Sequence, residues 1–123
     1  MASRRRQPEA LLQRTLFEHI RLRRTPGWQF WATPNAAKRS PRYGAELKRQ
    51  GMTAGVGDVS ALSPTGKYHE LELKTQYGRL SPAQRARLET MTELGHTMEV
   101  AYGLDDALRK LLANPFINPY WVR

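Results

Sequence analysis

Lys67-Tyr68-His69-Glu70-Leu71-Glu72-Leu73-Lys74 decides how the rest of the chain is read. Its polar and apolar residues alternate, and in a strand alternate side chains share a face. Tyr68, Glu70, Glu72 and Lys74 therefore point one way, and His69, Leu71 and Leu73 the other, with Leu73 anchoring the strand in a core. Immediately upstream, Ser63-Pro64-Thr65-Gly66 is a turn, and Val56–Leu62 before it is a second apolar run. Two such runs about a short turn predict an antiparallel hairpin. Pairing across it brings Asp58 alongside Glu72 or Lys74, and the sequence leaves open which.

Outward from the hairpin, both flanks have helical and extended segments. Downstream, Ser81-Pro82-Ala83-Gln84 carries a cap, a proline at the first helical position and a glutamine at the third, the pattern of a capping box. The helix it opens runs to about Leu94, where Gly95 ends it. Thr97–Tyr102 is a further strand, and Asp105 or Asp106 opens a last helix to about Ala113. Upstream, Leu12, Leu16 and Ile20 recur every four residues, which predicts a helix from about Pro8 to Arg24, closed by Thr25-Pro26-Gly27. Trp28–Ala32 is a short aromatic strand. Residues 33–55 form a long, basic connection punctuated by Gly and Pro, with a short helix over about Tyr43–Gln50; connections of this length are often functional. The order is helix, strand, short helix, hairpin, helix, strand, helix. That predicts an α/β or α+β fold, a mixed sheet with helices packed on it. No repeat or low-complexity run interrupts it.

At 123 residues the chain is expected to form one domain over residues 1–123, with residues 1–7 as a flexible basic arm. No stretch approaches the roughly 20 apolar residues that cross a bilayer, and no apolar segment follows Arg4-Arg5-Arg6, so neither membrane nor secretory signal is expected. The absence of cysteine removes disulfides, thiol nucleophiles and thiolate metal sites. The expected location is therefore intracellular, in the cytoplasm. The net charge is +9, and all of the excess lies early: residues 1–54 carry twelve Lys/Arg against three Glu, whereas residues 55–123 carry eight against eight. Most of that excess is arginine, whose planar fork matches phosphate oxygens, so a polyanion partner is expected. Plain solubilising charge is the duller explanation.

Two carboxylates and a lysine converging at a strand edge suit phosphodiester hydrolysis. Carboxylate oxygens are hard ligands for Mg2+ or Mn2+ that leave positions for water and phosphate, and a nearby lysine can orient the attacking water. An ordinary cross-strand ion pair has the same residues, so the triplet Glu72-Leu73-Lys74 by itself carries little.

Its context carries more. Gly55-Val56-Gly57-Asp58, the hairpin, Glu70-Leu71-Glu72-Leu73-Lys74 and then Gly78-Arg79-Leu80-Ser81-Pro82-Ala83-Gln84 together resemble the PD-(D/E)xK nucleases, specifically the VRR-NUC family. Lys38-Arg39-Ser40-Pro41 and Leu47-Lys48-Arg49-Gln50-Gly51-Met52 look like the phage-type, stand-alone members, and Leu94-Gly95 before a strand containing Val100 also fits. The resemblance spans roughly residues 9–108. The departure is Gly57, where the family usually has proline before the metal-binding aspartate.

The resemblance implies a restriction-endonuclease-like core, a mixed β-sheet flanked by helices. It implies that Asp58 bridges the metal or metals, that Glu72 gives a second carboxylate and the Leu73 carbonyl a further oxygen, and that Lys74 positions the attacking water. It also places a glutamate on the first helix. Glu9, followed by Gln13 four residues on, matches better than Glu18, although an acid near a helix N-terminus is favoured without any metal. Gln84 has two readings: a capping-box residue, or a side chain reaching the active site. Arg39, Arg42, Lys48 and Arg49 in the long connection are the expected DNA-backbone contacts. His19, His69 and His96 share no metal-ligand spacing, Ser81 reads as a cap rather than a nucleophile, and Trp28, Phe30 and Trp31 read as core.

The implied activity is that of a Mg2+- or Mn2+-dependent, structure-specific endodeoxyribonuclease on branched DNA such as Holliday junctions. It would act as a homodimer, in a bacterial or phage-infected cell. Two other functions fit less of the sequence: a non-catalytic nucleic-acid-binding module, and a sequence-specific restriction-type nuclease.

Overall fold

The computed structural model describes residues 2–33 and 41–113. Four strands, β1 (Gln29–Ala32), β2 (Val59–Leu62), β3 (Tyr68–Lys74) and β4 (Thr97–Tyr102), form one sheet in the order β1-β2-β3-β4. The first three are antiparallel neighbours, and β4 lies parallel to β3. A parallel neighbour needs a crossover, and α3 (Pro82–Glu93) supplies it. The other helices are α1 (Ala2–Arg23), α2 (Pro41–Arg49) and α4 (Leu104–Leu112). The sheet is thus mixed and flanked by helices, the α/β architecture that the sequence implies.

The two faces of β3 do different work. Leu71 and Leu73 are buried with Val59, Ala61 and Ala101 from neighbouring strands, beneath Leu12, Leu16 and Ile20 of α1 and Ala107 and Leu111 of α4. Burying these aliphatic side chains supplies the main driving force, about 1.5–3 kcal/mol for each large one. The opposite face carries Ser60, Glu70 and Glu72 and lies against α3, whose Gln84 and Arg87 reach down to the two glutamates.

Three segments differ from the expectation. The first helix begins at Ala2 rather than Pro8 and so takes in residues 2–7, read from the sequence as an arm. Ala, Arg and Gln are good helix formers, and Pro8 removes one backbone donor without ending the run. The strand expected from Val56 begins at Val59, because side chains replace the ladder at its start: Glu70 takes the Gly57 N–H, and the Asp58 carboxylate takes the Leu73 N–H. Trp28 is buried and Phe30 packs on the core as expected, whereas Trp31 is 42% exposed on the edge strand. Among the described residues no helix is long and apolar enough to cross a membrane. Arg39 and the aromatic residues Phe116, Tyr120 and Trp121 lie outside the described residues.

Candidate active site

The pairing of β2 with β3 sets Val59 opposite Leu71, so one step earlier Asp58 falls opposite Glu72. The hairpin register that the sequence left open is therefore the one that joins the two carboxylates. Asp58 Oδ2 accepts a 2.8 Å hydrogen bond from the Leu73 N–H. In an extended strand the N–H and C=O of one residue point to the same side, so the Leu73 carbonyl faces the same edge, where β2 has ended. The leucine side chain itself is buried in the core, which fixes the backbone that presents that oxygen.

Glu72 is 3% exposed. Its Oε1 accepts a 2.8 Å hydrogen bond from Gln84 Nε2 and stands 3.9 Å from Lys74 Nζ. Its Oε2 is buried and accepts no hydrogen bond. Burial, followed by the charge of Asp58, pushes the Glu72 carboxyl up to about 9; Lys74 pulls the other way and Glu9 adds to the rise. Two carboxylates placed together have no donor between them, so the pair must hold either a proton or a cation.

Gln84 resolves its two readings by satisfying both. Its Oε1 accepts from the Ser81 N–H at 2.8 Å, Ser81 Oγ accepts from the Gln84 N–H at 3.1 Å, and the remaining amide group reaches Glu72. The capping box thus aims the side chain into the site, and Ser81 acts as the cap.

A cleft of about 1150 Å3 gathers Glu9, Asp58, Glu72, Leu73, Lys74 and Gln84 on its walls. Glu9 belongs to this cleft, whereas Glu18 is exposed and does not line it. Arg42, Lys48 and Arg49 are exposed on α2 and contribute nothing to the cleft; Arg49 is in a 2.8 Å ion pair with Glu46. His69 faces away from the site and its ring contacts Thr97. Burial lowers it to about 4, with Glu70 opposing. At neutral pH it is therefore an uncharged imidazole, and its 3.6 Å approach to Glu99 is not an ion pair.

No protein-family model matches the chain, and no curated protein matches it in sequence. Solved structures do resemble it. One described as a "VRR_NUC domain protein" superposes with a TM-score of 0.67 over 86% of this chain and 86% of its own, at 19% identity. A second, described as a "VRR_NUC domain", gives 0.60 over 87% of this chain and 96% of its own, at 17% identity. The chain has the VRR_NUC fold. At such identities the likeness is one of backbone path, so the roles of individual side chains rest on the geometry above.

On this VRR_NUC fold the structure adds a group that the sequence reading passed over. Glu70 is fully buried and accepts four hydrogen bonds: from the Gly57 N–H at 2.9 Å, from the Tyr68 hydroxyl at 2.7 Å, and from Arg87 at 3.2 and 2.6 Å. Burial raises its pKa, but Arg87, the Gly57 N–H and the Tyr68 hydroxyl outweigh it and leave the carboxyl below its usual range. Glu70 is thus a charged strut tying α3 and the 55–57 loop to β3. The departure at Gly57 is explained here, since a proline has no N–H to give. A Cβ at Gly57 would also stand 3.0 Å from Glu70 Cβ, and one at Gly55 would stand 2.3 Å from the Ala83 carbonyl oxygen. Both glycines let the loop lie flat on its neighbours. The signal was legible in principle: Arg87 follows Gln84 by one helical turn, and Glu70 precedes Glu72 on the same strand face.

Proposed function

We propose that this chain is a metal-dependent endodeoxyribonuclease that hydrolyses phosphodiester bonds in branched DNA, Holliday junctions included. The observation that carries this reading is the Asp58–Glu72 pair, with the buried Glu72 Oε2 lacking any hydrogen-bond donor. Such a pair is costly unless a proton or a cation neutralises it, and a divalent ion bound there would displace the proton that burial and Asp58 keep on Glu72. Among the described residues no group of three His, Cys, Asp or Glu side chains is already gathered as a metal-holding set. The donors nevertheless fit a hard divalent ion: Asp58, Glu72 and the Leu73 carbonyl at the strand edge, with Glu9 on the wall of the same cleft.

Bound Mg2+ or Mn2+ supplies polarisation of the scissile phosphate and a lowered pKa for coordinated water. The chain's own residues do the rest. Gln84 donates to Glu72 Oε1 and holds the carboxylate in one orientation. Lys74 presents its ammonium beside that oxygen, where it can donate to the attacking water and stabilise charge developing on the phosphate. The early basic excess brings the polyanion to the site, with Arg39, Arg42, Lys48 and Arg49 on duplex phosphates. A homodimer with one site per subunit suits a substrate with two equivalent strands to cut.

The test is a panel of duplex, flap, forked and four-way-junction DNA incubated with purified protein and Mn2+ at low salt. Cleavage of the branched substrates over plain duplex is the expected outcome. A protein that binds all of them and cuts none, even in stoichiometric excess, is a binding module instead. Cutting at one sequence regardless of shape marks a restriction-type enzyme.

A further inference from the structure

The side chain of Lys74 is 14% exposed, and its ammonium stands 3.9 Å from Glu72 Oε1, beyond hydrogen-bond length. Among the described residues it has no hydrogen-bond partner, whereas Gln84 holds the Glu72 carboxylate and the Leu73 N–H holds that of Asp58. Lysine carries its charge on a flexible four-carbon stem. Where that charge sits is therefore decided by what packs on the stem.

Gly78 packs there. The loop from β3 to α3 turns back at once, closed by a 3.0 Å hydrogen bond from the Gly78 N–H to the Thr75 carbonyl, and the turn lays the Gly78 backbone on the lysine. A Cβ at Gly78 would stand 3.1 Å from Lys74 Cβ and 3.2 Å from Lys74 Cδ, inside the roughly 3.5–4.0 Å of ordinary carbon contact. Gly78 is not among the glycines with positive φ, so its conformation is open to other residues and lack of room is what demands glycine. Neither side can retreat. Lys74 pairs with Tyr102 of β4, and its carbonyl accepts a 2.8 Å hydrogen bond from the Gly103 N–H, which fixes its Cβ. On the loop side the same methyl would meet the Thr75 carbonyl oxygen at 3.3 Å. The part that can give is the stem beyond Cβ, by leaving its rotamer, and that moves the ammonium.

We propose that Gly78 is a positioning residue of the site, the seat that holds the Lys74 stem and so sets its ammonium beside Glu72. It acts through the lysine and not on the DNA, since Gly78 does not line the cleft. The inference rests on the nuclease reading for what Lys74 does, and on the packing alone for where Lys74 is held.

The experiment is a double-mutant cycle of Gly78→Ala and Lys74→Ala, read by single-turnover cleavage of branched DNA with Mn2+, beside NMR spectra of the full chain in EDTA. Gly78→Ala is expected to lower the cleavage rate by about 10²-fold at unchanged DNA affinity. In the Lys74→Ala background the same change should add nothing. In the wild type, the Gly78 Hα protons should show NOEs to Lys74 Hβ and Hδ, a measurement that needs no variant to fold. In Gly78→Ala the Lys74 ε-methylene resonance, assigned by its loss in Lys74→Arg, should shift while those of Lys67 and Lys110 stay. Absent NOEs overturn the proposal, as does a Gly78→Ala protein that cleaves at the wild-type rate. A rate loss equally large in both backgrounds also overturns it, because Gly78 would then act through something other than the lysine. NOEs and a shifted Lys74 resonance in a protein that cuts no DNA keep the seat and sink the nuclease reading alone; cleavage without the NOEs sinks the seat alone.

Discussion

Lys74 is largely buried, its ammonium 3.9 Å from Glu72 Oε1, and it follows Glu72 on the same face of β3. A lysine in that place can act on water at the carboxylate pair without being needed to hold the strand, since the core face of β3 carries the packing. Lys74→Ala is therefore expected to reduce cleavage by about 10²–10⁴-fold and to change DNA affinity little, as measured by parallel cleavage and anisotropy assays. Asp58→Asn should behave differently, because Asp58 contributes charge to the metal site. Calorimetric titration with Mn2+ should lose its binding signal in that variant. Retained metal binding would remove Asp58 from the donor set. These two residues, Glu72 and Gln84 were legible in the sequence because a strand and a capping box each fix where a side chain points from local spacing alone. The strand face of Glu70 was equally legible, but its burial was not, since burial is a property of what covers a face.

At the scale of elements, α3 is fastened to β3 by Gln84 on Glu72 and by the paired hydrogen bonds of Arg87 on Glu70. Removing one partner of a buried pair leaves the other charge stranded, which costs about 3–5 kcal/mol. Arg87→Met should show that loss in chemical denaturation. Because Glu70 also holds the Gly57 N–H beside Asp58, cleavage should fall in the same variant at temperatures where it is still folded. A variant as stable as the wild type would mean that the strut contributes nothing to the fold. The elements themselves followed from periodicity and punctuation: β4 has the expected bounds, and α3 ends within a residue of them. The start of β2 did not, because the donors there are taken by side chains thirteen and fifteen residues away, a distance over which local pattern carries no information.

For the whole molecule, the two strongly shifted groups set how stability varies with pH. The Glu72 carboxyl is raised to about 9 in the fold, so its protonated form contributes stability fully below about pH 4.5, and this is lost as pH rises toward 9. His69 is lowered to about 4, so its contribution is present above about pH 6.5 and lost as pH falls toward 4. Between about pH 4.5 and 6.5 the two oppose each other, and above 6.5 only the Glu72 loss remains. Thermal unfolding in EDTA should therefore give a Tm that changes little over the first window and declines from pH 6.5 to 9, and Glu72→Gln should flatten the decline. A Tm that rises over that range would show that the carboxylate pair is not strained. The sequence by itself determined the order of elements, the early basic excess and the faces of the strand at Lys67–Lys74, because alternation, helical period and turn residues act over a few positions. Only the tertiary structure decided that Asp58 stands opposite Glu72, that Glu9 rather than Glu18 shares their cleft, and that Glu70 is a buried strut. Each of these depends on the register of one strand against another or on how a helix lies across the sheet. Contacts between residues distant in the chain settle both.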